Sequence, residues 1–262
     1  MISGMRNIIV AATLTLGAAP SSAVGQSAAS PARVNNIVLV HGAFADGSGW
    51  RGVYDQLVAR GYRVTIVQNP LTSLKDDVAA TERVLARQSG PAILVGHSYG
   101  GTVITEAGTD PKVAGLVYVA ALAPDVGEST GDQFVTIPAP STFVIETGAD
   151  GYGFVNLAKF KIGFAGDTSD ADAAFLRDSQ VPINMAIFGE KVTRAAWRGK
   201  PSWAVVATED GAIDPKLLRH MAKRIGATTT EVKGSHVVFL TQPKAVTDVI
   251  DQAAQSALGM RR

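Results

Sequence analysis

Pro91-Ala92-Ile93-Leu94-Val95-Gly96-His97-Ser98-Tyr99-Gly100-Gly101 is the stretch on which the reading of this chain turns. Ala92 to Val95 is a short apolar run, the signature of a buried strand in a parallel sheet. It leads into Gly96-His97-Ser98-Tyr99-Gly100, which fits the G-x-S-x-G nucleophile elbow, and then into Thr102-Val103-Ile104-Thr105-Glu106-Ala107, which reads as a helix. The spacing has a mechanical reason. A serine at the tip of a tight strand-to-helix turn is held in a strained backbone conformation, with its hydroxyl out over the sheet edge. Gly96 and Gly100 lack Cβ atoms, so strand and helix can approach each other on either side of Ser98. The helix N-terminus beneath Ser98 favours negative charge developing above it. Alone, the pentapeptide is also compatible with an ordinary glycine-rich turn; the strand before it and the helix after it supply the context an elbow requires.

Outward from the elbow, strand and helix signals alternate, the pattern of a parallel sheet with helices on both faces. Upstream, Ile37 to Val40 is a buried strand that opens into His41-Gly42-Ala43-Phe44. Trp50 to Arg60 carries helical spacing and stops at Gly61, and Tyr62 to Val67 is the next strand, closed by Asn69-Pro70. Ser73 caps a helix that runs to about Gln88. Downstream, Val113 to Ala121 is a strand opening into Pro124-Asp125. Trp203 to Thr208 and Thr228 to Val232 read as strands, with helices over Pro215 to Ile225 and Gln242 to Leu258. This predicts an α/β fold with a mostly parallel sheet of about six strands.

Between about Pro124 and Lys200 the alternation fades, and seven of the nine phenylalanines fall there. An aromatic insertion over the carboxyl ends of the strands reads as a lid that supplies an apolar pocket. The periodicity does not separate rings that line such a pocket from rings that form the lid's own core.

Composition narrows the classes of function. At 262 residues the chain can bury one sizeable core, and no block of like charge points to nucleic acid or an anionic membrane surface as a partner. Without cysteine there is no disulfide, thiolate nucleophile or Cys-metal site. Residues 1–23 read as a signal peptide. They comprise a short n-region with Arg6, an apolar stretch from Asn7 to Ala19, and Pro20-Ser21-Ser22-Ala23, with small residues at the −3 and −1 positions of a cleavage after Ala23. The apolar run is too short to span a bilayer comfortably, so no stable membrane anchor is expected, and the protein is expected to be exported. Removing residues 1–23 takes away Arg6 and no acid, leaving equal numbers of acidic and basic side chains. Residues 24–34 read as a flexible lead-in, and the folded domain is expected over 35–262 with the lid at about 124–200.

A serine hydroxyl is a poor nucleophile until a base takes its proton, and that base must be oriented by a third group. Of four histidines, His41 sits in the turn after the first strand, His97 is the variable residue of the elbow, and His220 lies in a helix beside Arg219. His236 follows the last strand in Lys233-Gly234-Ser235-His236, a loop at the carboxyl edge of the sheet, and it alone comes late enough, after that strand, for the base in the Ser, acid, His order of an elbow protein. For the acid, Glu209, Asp210 and Asp214 follow the strand Trp203 to Thr208. Asp210 ranks first because it lies at the strand end before the Gly211 turn. Asp214 precedes Pro215 and reads as a helix N-cap, Glu209 should point the other way, and Asp125, at the end of the preceding strand, ranks second. The oxyanion donors expected are the amides of Tyr99, next after the nucleophile, and Ala43 in the loop after the first strand, with Phe44 as runner-up.

Three patches carry a resemblance to the α/β-hydrolase superfamily, within it to the branch of plant methylesterases and hydroxynitrile lyases. They are His41-Gly42-Ala43 with Trp50, Val95 to Gly101, and Ala207-Thr208-Glu209-Asp210 followed by Lys233-Gly234-Ser235-His236. The resemblance spans roughly residues 35 to 258. It implies the α/β-hydrolase fold with Ser98, Asp210 and His236 as triad, Ala43 and Tyr99 as oxyanion amides, a small-molecule ester substrate, and no metal or organic cofactor. The lyases of this branch place threonine at the position of Gly42 and lysine directly after the histidine, where Val237 stands here. Both lyase devices are missing, so hydrolysis of small to medium uncharged esters is the better expectation. Lyase-like or perhydrolase chemistry on the same triad, and a hydrolase-fold receptor with little turnover, are the alternatives.

Overall fold

A computed structural model of the chain describes Met1 and residues 33–260. The expected signal peptide therefore lies, Met1 apart, outside the described residues. The chain divides into Met1–Ser30 and Pro31–Arg262, and the fold is that of the second unit. Of the expected lead-in only Arg33 and Val34 are described, and both are attached. Arg33 covers the Tyr62 ring, while Val34 is fully buried and donates its N–H to Ala254 O at 2.9 Å.

In chain order the first half runs β1 (Asn36–Val40), α1 (Arg51–Ala59), β2 (Arg63–Val67), α2 (Leu74–Ala86), β3 (Ala92–His97), α3 (Gly100–Ala107) and β4 (Val113–Val119). An insertion follows with β5 (Ile145–Thr147), β6 (Tyr152–Val155), α4 (Phe160–Phe164), α5 (Asp170–Asp178) and β7 (Ile183–Asn184). The chain then closes with β8 (Ser202–Ala207), α6 (Pro215–Arg224), β9 (Thr228–Val232), α7 (Val238–Thr241) and α8 (Pro243–Ser256). The main sheet has six strands in the order β2-β1-β3-β4-β8-β9, every neighbouring pair parallel. β1, β3, β4 and β8 are buried at every residue, which is why they are mainly apolar with polar residues only at their ends; the edge strands β2 and β9 keep polar residues facing out.

Local chemistry sets the boundaries. The Ser73 hydroxyl accepts the Asp76 N–H to start α2, and Asp214 accepts the Lys216 N–H ahead of Pro215 to start α6. Gly61, at φ +82°, ends α1 where a left-handed residue is needed. The fourth strand stops at Val119 rather than Ala121 because Ala120 turns to φ +44° and gives its N–H to Val205 O. The four-residue helix α7 has no counterpart in the sequence expectation; it is too short to show a period.

The chain passes from β1 outward to β2 and then crosses back to β3 on the other side of β1. Such a switch point leaves a crevice at the carboxyl ends of the two strands, where open α/β sheets bind ligands. In register, Val40 lies beside Gly96, so the His41-Gly42-Ala43 turn and the Ser98 turn leave the sheet side by side. The insertion carries its own antiparallel sheet, β5-β6-β7.

Candidate active site

Ser98 adopts φ +53°, a left-handed conformation that costs a non-glycine residue on the order of 1–3 kcal/mol. The surroundings hold it there. Its N–H donates to Val119 O at 3.3 Å, and its carbonyl accepts Gly101 N–H at 2.9 Å and Leu122 N–H at 3.2 Å. The turn is as tight as the glycine spacing predicts: a Cβ on Gly96 would lie 2.5 Å from Gly100 O. Gly42 is equally constrained, since a Cβ there would come within 2.8 Å of Ser98 Cβ.

The Ser98 hydroxyl lies 2.9 Å from His236 Nε2, and His236 Nδ1 lies 2.8 Å from Asp210 Oδ2. Asp210 is buried, and its other oxygen accepts the N–H groups of Ala212 and Ile213, both at 2.8 Å. A carboxylate so fixed fixes the tautomer as well. Nδ1–H donates to Asp210, leaving the Nε2 lone pair for the serine proton. The Phe164 ring stands edge-on to the His236 ring at 5.0 Å.

The other candidate acids go elsewhere. Asp125 forms a two-pronged pair with Arg198 at 2.8 and 2.7 Å, which lowers its pKa, and Asp214 serves as the cap. Glu209 is exposed and faces Lys233. Among the histidines, His220 is exposed and His41 accepts the Asn69 N–H at 2.9 Å through Nε2. His97 is buried next to the site. Burial lowers its pKa well below the ordinary histidine value, so it is neutral, and its Nε2–H donates to the backbone carbonyl of His236 at 2.9 Å. The sequence marks His97 as the variable residue of the elbow, and this bond was not legible there.

Ser98 and His236 open into a cavity of about 230 Å³. Ala43, Phe44, Tyr99 and Leu122 line it from the main fold, and Phe134, Phe143, Phe164 and Phe188 from the insertion. Of the remaining insertion phenylalanines, Phe160 belongs to the core and Phe154 and Phe175 are exposed. Among the described residues, neither the Ala43 nor the Tyr99 amide donates to a backbone acceptor. Both lie on the cavity wall beside Ser98.

A serine, histidine and aspartate in hydrogen-bonded series at the carboxyl edge of a parallel sheet define a serine hydrolase centre. The chain belongs to the alpha/beta hydrolase family, whose model matches residues 37–249. Among characterised relatives, it is 28% identical to the pyrethroid hydrolase of Sphingobium wenxiniae, across 87% of this chain and 91% of that one. It is 26% identical to an alpha/beta hydrolase of Aspergillus novofumigatus, across 85% and 97% of the two chains. A carbendazim hydrolyzing esterase of Nocardioides is 34% identical over 111 residues, 36% of this chain and 45% of that one. Among solved structures, a pyrethroid hydrolase from Sphingobium faniae superposes with a TM-score of 0.71 at 21% identity, covering 86% of this chain and 99% of that one. Polyneuridine aldehyde esterase does so with 0.73 at 16% identity, covering 84% and 99%. Among the described residues no helix is long and apolar enough to cross a membrane.

Proposed function

We propose that the protein hydrolyses small to medium uncharged carboxylic esters through an acyl-enzyme on Ser98. The observation that carries this reading is the series Ser98 Oγ, His236, Asp210, at 2.9 and 2.8 Å, opening into an apolar cavity. His236 Nε2 takes the hydroxyl proton as Oγ attacks the ester carbon, and Asp210 stabilises the imidazolium so formed. The tetrahedral oxyanion faces the amides of Ala43 and Tyr99, each worth about 3–4 kcal/mol where comparable donors have been removed. Collapse expels the alkoxide, which leaves as alcohol with the proton from His236. A water, deprotonated by the same nitrogen, then attacks the acyl carbon and releases the acid.

The chemistry of the wall favours apolar acyl or alcohol groups. Phe44, Phe134, Phe143, Phe164 and Phe188 offer ring faces and edges and no charge to pair with a charged substrate. The names of two relatives, a pyrethroid hydrolase and a carbendazim hydrolyzing esterase, support a hydrolytic, esterase-type reaction. The lyase alternative has less support: a Cβ on Gly42 would crowd Ser98, and Val237 is buried and apolar.

The test is sustained turnover of p-nitrophenyl and methyl esters across a panel of acyl lengths. Hydrolysis over many turnovers, with kcat/KM falling for charged acyl groups, is expected. A single burst without turnover would make the protein a binder instead.

A further inference from the structure

Behind the cavity wall stands a carboxylate that the hydrolytic scheme leaves unused. Asp77, on the first turn of α2, is fully buried, and the charges that bear on it are both acidic, Asp76 on its own helix and Glu190 from the insertion. Its two oxygens serve two donors. Oδ2 accepts the Tyr99 hydroxyl at 2.7 Å, and Oδ1 accepts the Leu71 N–H at 2.8 Å.

The first donor lines the cavity, and the second belongs to a turn that bonds the insertion. Tyr99 follows the nucleophile, lines the cavity with Ser98, and packs edge-on against Phe188 of the insertion at 6.1 Å. Leu71 sits at φ +59°, an unfavourable conformation for a branched side chain. The turn it makes also carries the insertion, because the Leu71 carbonyl accepts Asn184 N–H at 2.9 Å and the Thr72 carbonyl accepts Asn184 Nδ2 at 3.0 Å. One buried carboxylate thus joins the residue beside the nucleophile to a turn that bonds the insertion. No apolar residue could accept either bond, and a neutral amide offers one oxygen for two donors.

Resting on the proposed hydrolysis at Ser98, we infer that Asp77 is a positioning residue: its carboxylate holds Tyr99 by the phenolic oxygen, and with it the amide beside Ser98 and one wall of the cavity. The arrangement depends on charge. Burial is the main cause that pushes the Asp77 carboxyl up to about 6, while Tyr99, raised by burial as well, stays protonated and keeps its role as donor. Above that pH both oxygens accept. Below it, a proton on Oδ1 faces the Leu71 N–H, and a proton on Oδ2 forces the Tyr99 bond to reverse. The activity profile then carries a step set by Asp77.

The experiment compares the wild type, Asp77→Asn and Tyr99→Phe on one neutral ester from pH 4.5 to 8 (about the range where carboxylates and histidine titrate), with circular dichroism recorded at each pH. The wild type should show a step of about tenfold in log kcat/KM centred near pH 6, and both variants should lack it. At the plateau, kcat should fall roughly tenfold in each variant with KM within about twofold, the pattern of a lost transition-state interaction. Tyr99→Phe keeps the amide and the ring, so it decides the matter even if Asp77→Asn folds poorly. A wild-type profile without that step, or the same step in the folded variants, would overturn the assignment. Failure of the hydrolytic reading itself would appear separately, as absent wild-type turnover.

Discussion

The His97 imidazole, one residue before the nucleophile, donates to the backbone carbonyl of His236 at 2.9 Å. The elbow therefore holds the loop that carries the base. The two rings lie 4.7 Å apart, and Phe239 of α7 closes over His97 at 4.5 Å. With its charge suppressed by burial, His97 adds no competing proton to the relay.

Replacing His97 by Phe should leave the His236 carbonyl buried without its donor, at a cost of about 1–3 kcal/mol. A fall in Tm, together with a fall in kcat larger than the change in KM, is the expected outcome by thermal melts and steady-state kinetics. Wild-type kcat in the folded variant would show that the His236 loop holds its place unaided.

For the acid, three Asp→Asn variants on one substrate give a direct ranking. Asp210→Asn should lower kcat by several orders of magnitude, about 10⁴ by analogy with serine proteases, because the imidazole would take the wrong tautomer. Asp125→Asn weakens the pair with Arg198, away from the cavity, and Asp214→Asn keeps a good helix cap, so both should retain activity. A severe loss in Asp125→Asn with a mild one in Asp210→Asn would contradict the geometry.

Much of this site can be read from the sequence, and the reasons differ residue by residue. Ser98, Asp210 and His236 are legible because an elbow marks the nucleophile and its partners must enter at the carboxyl ends of later strands, where the strand-end position ranks Asp210 above Asp125, Glu209 and Asp214. Asp77 was hidden as one of two acids at a helix start. Its spacing was informative nonetheless, for it falls on the stripe of Leu74, Val78, Thr81 and Leu85, all buried or nearly so. The insertion was legible as a break in the pattern but not in detail. β5 and β7 are only three and two residues long, and Phe143 and Phe164 line the cavity while Phe160 fills the core. No two- or 3.6-residue period distinguishes those rings.

On the reaction class, mandelonitrile cleavage should be negligible beside ester hydrolysis, measured as cyanide release against acid formation. The physical ground is space as well as chemistry. Introducing the lyase threonine as Gly42→Thr should reduce ester turnover outright, since its Cβ would lie 2.8 Å from that of Ser98. Cyanide release at a rate comparable with ester turnover would reverse this order.

Asp77 also predicts a dependence of stability on pH. Its carboxyl is raised in the folded protein, from 3.8 to about 6, so the folded state favours the protonated form. That contribution is fully present below about pH 4 and is lost as pH rises through 6. Measured by urea denaturation, the wild type should therefore lose roughly 2–3 kcal/mol relative to Asp77→Asn between pH 4 and pH 7. A difference that is flat with pH would mean that the carboxyl is not perturbed. The direction is opposite to that expected for activity, where the ionised form is the useful one.

The central claim, that Ser98 is the nucleophile of a hydrolase, is tested most directly by exposing wild type and Ser98→Ala to an active-site fluorophosphonate and weighing the intact proteins by mass spectrometry. The wild type should gain one phosphonyl adduct, mapped to the peptide containing Ser98, and lose ester turnover in proportion. Ser98→Ala should fold, remain unlabelled and show no turnover above background. Full labelling or wild-type turnover in the alanine variant would contradict the account.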